Sequence, residues 1–430
     1  MDKHFDRLIE PYLATLMLEF PAIAIDGLKG VGKTVSTKRL AKTVFELDRP
    51  RDFDQITNIP DILSTEAKPI LIDEWQRIPA VWDHVRRAVD DGAKPGTFLL
   101  TGSMANTDTS IHSGAGRIIR RKMYPLSLAE RNIEEPTVSI GEIFSADKPF
   151  SINMTGNTAV SSLQYIFEIA ASGLPAFRKL SIESRKIAFA SYFENMLSHD
   201  FIQQGVRLRQ PETMLRWLTA YAAAISTDAG YTEILDTSTA GVGNKPAAKT
   251  TIAYRETLEN LWLLDELSPW IEGEEYFSGL KRSPKHYLAD PAIAVYLLGL
   301  DESILSAANG WPVRAERFDR KYGSLLGRLF EALVHLCLNT YASVNNAKLF
   351  FVKTHNGDRE IDFVIQKDAR LIACEVKFSP LVAASDGKHL RWLINKVGPA
   401  CCDAIIITAG SAAYRRQDGI AVVPAALLTA

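Results

Sequence analysis

The chain has 430 residues, 47% of them hydrophobic and 23% charged. This is the composition of a folded globular protein of two to three domains, and it excludes a mainly disordered chain, a fibrous repeat and a membrane protein. Lys and Arg number 49 against 51 Asp and Glu, a formal net charge of −2, so contact with DNA has to come from local patches rather than from overall charge. The four cysteines, Cys337, Cys374, Cys401 and Cys402, form no C-x-x-C pair, which argues against a zinc knuckle and fits a cytoplasmic, reducing setting. The N-terminus lacks the apolar core of a signal peptide and no stretch approaches 18 uninterrupted apolar residues, so no membrane span is expected.

In chain order, residues 5–18 carry their apolar residues on one side of a helix. P-A-I-A-I-D-G (21–27) is an apolar run stopped by glycine and reads as a buried strand. A helix follows over 34–47, then a strand at P-I-L-I-D-E (69–74), a helix over 81–91 and a strand at T-F-L-L-T-G-S (97–103). Alternating strands and helices predict an α/β fold with a parallel sheet. From about residue 160 the pattern turns helical (161–171, 181–204, 212–225, 247–261), with a Gly-, Ser- and Thr-rich loop between the last two segments. Strands return after about residue 320: helix 323–341, strands 348–355, 360–367 and 371–378, helix 386–397, strands 403–408 and 419–424. The expected organisation is an N-terminal α/β domain (1–160), a helical middle (161–320) and a C-terminal α/β domain (321–430).

Residues 27–34 read G-L-K-G-V-G-K-T, a full match to the phosphate-loop pattern between a predicted strand and a predicted helix. Gly27, Gly30 and Gly32 let the backbone N–H groups, with those of Leu28, Lys29 and Val31 between them, curl around phosphate oxygens. Lys33 is expected to reach the β- and γ-phosphates of ATP, and Thr34 to offer its hydroxyl to Mg²⁺. Forty residues beyond Lys33 a strand ends in Asp73 and Glu74. Asp73 would hold Mg²⁺ and Glu74 would polarise the attacking water. The third strand ends in Thr101-Gly102-Ser103, whose hydroxyls should reach the same edge of the sheet and sense the γ-phosphate. Beyond it, G-A-G-R-I-I-R-R-K supplies arginines with no evident partner acid nearby; Arg117 is the first candidate for a catalytic arginine, Arg120 the second.

These motifs, with L-I-D-E-W-Q-R-I-P-A-V-W-D-H-V-R-R and M-Y-P-L-S-L-A-E, resemble a prokaryotic family of P-loop, AAA-type ATPases. That family is related to the archaeal signal-transduction-like group and carries a C-terminal domain of unknown function. L-E-N-L-W-L-L-D-E-L-S-P-W, K-H-Y-L-A-D-P-A-I and G-R-L-F-E-A-L-V extend the resemblance over nearly the whole chain. It implies a winged-helix-like element in the middle, with helix 247–261 facing a DNA groove and Lys249, Thr250, Thr251 and Arg255 toward its start. The turn Lys281-Arg282-Ser283-Pro284-Lys285-His286 reads as basic.

In the C-terminal domain Glu331 lies on a helix, Asp362 on a strand, and Glu375 and Lys377 two residues apart on the next strand, hence on one face. Three acids and a lysine at one edge suit a divalent metal and an attacking water, with Asp362 and Glu375 as ligands of Mg²⁺ or Mn²⁺, Lys377 activating water and Glu331 assisting. With the α-β-β-β-α-β order, this resembles the PD-(D/E)XK nuclease superfamily, in a variant with Glu360-Ile361-Asp362 where a proline usually precedes the aspartate; the same residues also admit a nuclease fold that binds DNA without cutting it, or an ordinary surface ion pair between Glu375 and Lys377. His355 and Lys388 read as solvated, and the Cys401-Cys402 pair as buried small hydrophobes. The expected protein hydrolyses ATP as a homo-oligomer, with a hexameric ring favoured, and translocates on or remodels duplex or branched DNA. The alternative is an ATP-dependent signalling switch whose C-terminal domain is an interaction or effector module.

Overall fold

The computed structural model describes residues 5–59, 61–104, 114–239, 246–271, 283–307, 324–354 and 357–430. The chain divides into two compact units, Met1–Pro125 with Leu258–Leu263, and Leu126–Thr257 with Leu264–Ala430.

The first unit holds five parallel strands: β1 (Ala22–Asp26), β2 (Thr43–Glu46), β3 (Ile70–Asp73), β4 (Phe98–Gly102) and β5 (Ile118–Lys122), in the order β2-β3-β4-β1-β5. Every residue of β1, β3 and β4 is buried, as apolar runs of a parallel sheet covered on both faces must be. Two strands differ from expectation. The helix expected over 34–47 ends at Lys38, and Thr43–Glu46 is β2. Two β-branched residues followed by Phe45 pair with β3, and that pairing overrides the helical pattern. The segment I-I-R-R-K, to which the sequence assigns no element, is edge strand β5. Because β4 lies between β1 and β3, the ends of these strands meet: Asp26 is in register with Gly102, and Asp73 with Thr101. Behind them Trp75 packs on Trp82, ring centroids 4.6 Å apart, within a core that includes Ile72, Val85 and Leu100.

The second unit contains β6 (Val138–Ser139), β7 (Gly156–Asn157), β8 (Leu264–Leu267), β9 (Lys285–Leu288), β10 (Lys348–Lys353), β11 (Glu360–Lys367), β12 (Arg370–Lys377), β13 (Cys401–Thr408), β14 (Ala412–Arg415), β15 (Ala421–Pro424) and β16 (Leu428–Thr429). Seven of them form a mixed sheet, β10-β11-β12-β13-β15-β14-β7. The helix Leu325–Val344, strands β10 to β12, the helix Lys388–Val397 and β13 follow one another as expected, with β12 and β13 parallel across the helical crossover. The short strands explain why residues 126–160 belong to this unit: β7 extends the sheet beside β14, and β6 pairs with β16. A buried triad adds to this, since Glu168 accepts from Arg131 at 2.9 Å and Arg178 at 2.8 Å.

In the helical part, the segment expected as one helix over 181–204 is Ile182–Asn195, a π-helical stretch at Met196–Asp200 and a last turn Phe201–Gln203. The helices Pro211–Ala223, Tyr231–Ser238 and Ala248–Asn260 precede an antiparallel pair, β8 and β9. The expected basic turn is corrected in part. Lys281, Arg282 and His355 lie outside the described residues, while Lys285 and His286 are buried in β9, 2% and 0% exposed. All four cysteines are buried free thiols. Among the described residues no helix is long and apolar enough to cross a membrane.

Candidate nucleotide site and C-terminal carboxylate cluster

The phosphate loop runs from the end of β1 into the helix Lys33–Lys38. Gly27 is required sterically: at φ +148° a Cβ would come within 2.3 Å of the Met123 carbonyl oxygen. Gly32 caps the helix at φ 104°, a left-handed conformation that favours glycine. Leu28 and Val31 are buried and anchor the loop, while Lys29 and Gly30 are exposed. Arg7, which sequence reasoning missed, braces it by donating to Val31 O and Tyr124 O, each at 2.6 Å.

Lys33 is buried, and its Nζ donates to Gly27 O at 2.7 Å and Leu28 O at 3.1 Å. Burial pulls its pKa down to about 8, against the opposing pull of Glu74, Asp73 and Asp26. Thr34 Oγ1 donates to Asp73 Oδ1 at 2.8 Å, and Thr101 Oγ1 donates to the same oxygen. Burial raises the Asp73 pKa above the usual carboxylate range, although the two hydroxyls act to lower it. A threonine hydroxyl beside a carboxylate is a hard-oxygen donor pair, and it fits Mg²⁺, which takes one or two protein oxygens together with phosphates and water.

Glu74 leaves β3 with φ 54°. That left-handed turn directs its side chain to Ser103, whose Oγ donates to Glu74 Oε1 at 2.7 Å, while Gln76 Nε2 donates to Oε2. Sequence reasoning missed Gln76, although it lies two residues beyond Glu74 in the stretch L-I-D-E-W-Q. The expectation that the arginines lack partner acids is corrected. Arg117 Nε donates to Asp90 at 2.8 Å, and Arg120 Nε donates to Asp26 at 2.8 Å. The Arg117 pair is open to solvent, so water competes for both groups.

In the second unit the topology brings Glu331, Asp362, Glu375 and Lys377 into one cluster, together with residues sequence reasoning did not assign to it. Lys285 Nζ lies 3.1 Å from Glu331 Oε1, 2.8 Å from Glu360 Oε1 and 3.4 Å from Asp362 Oδ1. Tyr287 OH donates to Glu331 at 2.7 Å, and Val376 N donates to Asp362 Oδ2 at 2.8 Å. Lys377 Nζ is 3.7 Å from Glu375, and His389 Nδ1 is 3.9 Å from it. Burial raises the Glu331 pKa to about 7 against the pull of Lys285. Burial, then Asp362, pushes Glu375 well up. Burial would raise Asp362 too, but Lys285 and Lys377 outweigh it and hold that carboxyl below its ordinary range. Lys388, at the start of its helix, is exposed as expected. Among the described residues no three carboxylate, imidazole or thiol side chains are arranged to hold a metal ion.

Three stretches match family models: residues 19–132 an AAA domain, residues 163–304 a domain of unknown function (DUF8612), and residues 326–428 a domain of unknown function (DUF4143). The uncharacterized proteins Rv2008c of Mycobacterium tuberculosis and Mb2031c of Mycobacterium bovis are each 24% identical over 364 residues, 83% of this chain and 70% of theirs. Among solved structures, the Walker-type ATPase PABY2304 of Pyrococcus abyssi aligns at 14% identity over 68% of this chain and 96% of its own, with a TM-score of 0.40. The Aeropyrum pernix ORC2 protein in its ADPNP–ADP complexes aligns at 15% identity over 70% and 92%, with a TM-score of 0.29. The phosphate loop, the Thr34–Asp73–Thr101 lock and the domain match together identify residues 19–132 as a P-loop, AAA-type ATPase domain.

Proposed function

We propose that this chain is a Mg²⁺-dependent ATP hydrolase whose nucleotide cycle moves or remodels DNA, duplex or branched, bound by its second unit. The hydrolase half rests on one observation: Thr34 and Thr101 both donate to Asp73, with Glu74 next in sequence at the same sheet edge. Thr34 and Asp73 would hold Mg²⁺, which would supply neutralising charge for the phosphate oxygens. Lys33 exchanges the Gly27 and Leu28 carbonyls for phosphate oxygens. Ser103 and Gln76 hold the Glu74 carboxylate, which polarises the attacking water and takes up its proton.

The DNA half is supported by the run of three helices followed by the β8–β9 pair, the element order of a winged helix. Lys249 and Thr250 are exposed at the start of the third helix, where phosphate contacts would fall. The α-β-β-β-α-β order and the gathering of Glu331, Asp362, Glu375 and Lys377 support a nuclease-like module as a second DNA contact. Arg117 serves a neighbouring subunit in a ring, hexameric in this reading, after exchanging Asp90 for a γ-phosphate. The second reading, a nucleotide-dependent switch with slow turnover, is favoured by the intrachain pairing of Arg117 and Arg120. Steady-state ATPase with duplex, forked or junction DNA separates the two. Stimulation that fades with salt supports the DNA reading. Turnover indifferent to every DNA form overturns it in favour of the switch.

A further inference from the structure

We infer that Lys285 is the resident cation of the C-terminal carboxylate cluster, standing where the nuclease resemblance would put a divalent metal, so that this site takes no metal and cuts no DNA. The inference rests on the geometry of the cluster and not on whether its face binds DNA.

Lys285 reaches the cluster from β9, outside the α-β-β-β-α-β core that carries the acids. It is 2% exposed, and its ammonium lies 2.8, 3.1 and 3.4 Å from carboxylates of Glu360, Glu331 and Asp362. These acids come from two elements, the helix Leu325–Val344 and β11. A buried ammonium needs such neighbours, because an isolated charge out of water is far costlier than a paired one. An ammonium has three N–H donors, and here three carboxylates stand around it. Tyr287, two residues along the same strand, donates to the Glu331 oxygen that faces Lys285, so one strand delivers both the cation and a fixed donor.

The second Asp362 oxygen is also engaged, and a basic side chain stands near each Glu375 oxygen. Asp362 Oδ2 accepts from Val376 N, and both Glu375 oxygens lie within 4 Å of a basic nitrogen, Lys377 Nζ on one and His389 Nδ1 on the other. A divalent cation would have to displace a covalently tethered one from Asp362, and two positive centres sharing that carboxylate would repel at short range. Metal-assisted phosphodiester hydrolysis needs a metal to generate the attacking hydroxide. With Lys285 at Asp362, the domain has the shape of a nuclease core without the means to make that nucleophile.

The test uses the full chain without nucleotide and carrying Asp73→Asn, which removes the carboxylate expected to hold metal at the nucleotide site. Mn²⁺ is titrated and followed by electron paramagnetic resonance. The inference expects no saturable Mn²⁺ site in this protein. It expects one to emerge on adding Lys285→Met, and to be lost again on adding Asp362→Asn. A saturable Mn²⁺ site in the protein that retains Lys285, abolished by Asp362→Asn, overturns the inference. So does Mn²⁺-dependent cleavage of labelled duplex DNA that Asp362→Asn removes. Should Lys285→Met fail to fold, the two measurements on the lysine-containing protein still decide.

Discussion

Raising the pH through 8 should weaken nucleotide binding, and Lys33 is the reason. Its ammonium is buried beneath the phosphate loop and held by two carbonyls; burial brings its pKa down to about 8. A bound triphosphate, with several negative charges at hydrogen-bond distance, restores the charged form well above that value. Binding therefore takes up a proton whenever the free protein has lost one. At about pH 7 roughly a tenth of the molecules have done so and affinity is barely changed. At about pH 9, one unit above the midpoint, the cost is about 1.4 kcal/mol, roughly tenfold in Kd. Phosphate groups lose their last proton near about pH 6, so the ligand adds little to this range. The assay is calorimetric titration with a non-hydrolysable ATP analogue in buffers of different ionisation enthalpy, which gives affinity and proton uptake together. Glu74 heads the groups that oppose the burial effect on Lys33, so Glu74→Gln should move the fall in affinity to lower pH. A Kd flat between about pH 7 and 9, with no proton uptake, would refute the reasoning.

Three further outcomes follow from the geometry. Gly27→Ala puts a methyl group against the Met123 carbonyl at a positive φ; it should cost on the order of 1–3 kcal/mol of strain and abolish nucleotide binding measured by fluorescence. Ser103→Ala removes the donor to Glu74 Oε1; kcat should fall by about tenfold or more with KM little changed, and an equal rise in KM would assign Ser103 to binding instead. Glu168→Ala leaves the buried Arg131 and the part-buried Arg178 without their shared carboxylate; denaturant unfolding should show a loss of about 3–5 kcal/mol, whereas a change within experimental scatter would mean the triad contributes nothing.

The nucleotide site was largely legible in the sequence because its parts are local. A phosphate loop has fixed spacing and obligatory glycines, and the strand ending in Asp73 and Glu74 is an apolar run stopped by charge. The supports of that site were not legible. Arg7 acts on Tyr124, 117 residues away, and the partners of Arg117 and Arg120 are Asp90 and Asp26, 27 and 94 residues back. Strand β2 was hidden because four residues are too few for period-2 alternation to outweigh a helical pattern. In the C-terminal domain the strand order and the shared face of Glu375 and Lys377 could be read from spacing alone. Lys285 could not, because its contacts with Glu331 and Asp362 span 46 and 77 residues, and its neighbours in sequence made it look like part of an exposed basic turn.

The central claim, that residues around the phosphate loop hydrolyse ATP with Glu74 acting on water, is tested most directly by single-turnover hydrolysis of radiolabelled ATP with Mg²⁺. Wild type is compared with Glu74→Gln at matched nucleotide occupancy. The account predicts that Glu74→Gln binds ATP as wild type does near neutral pH and releases phosphate about 100-fold more slowly or worse, the usual contribution of a general base. Equal phosphate release by the two proteins at equal occupancy would contradict it.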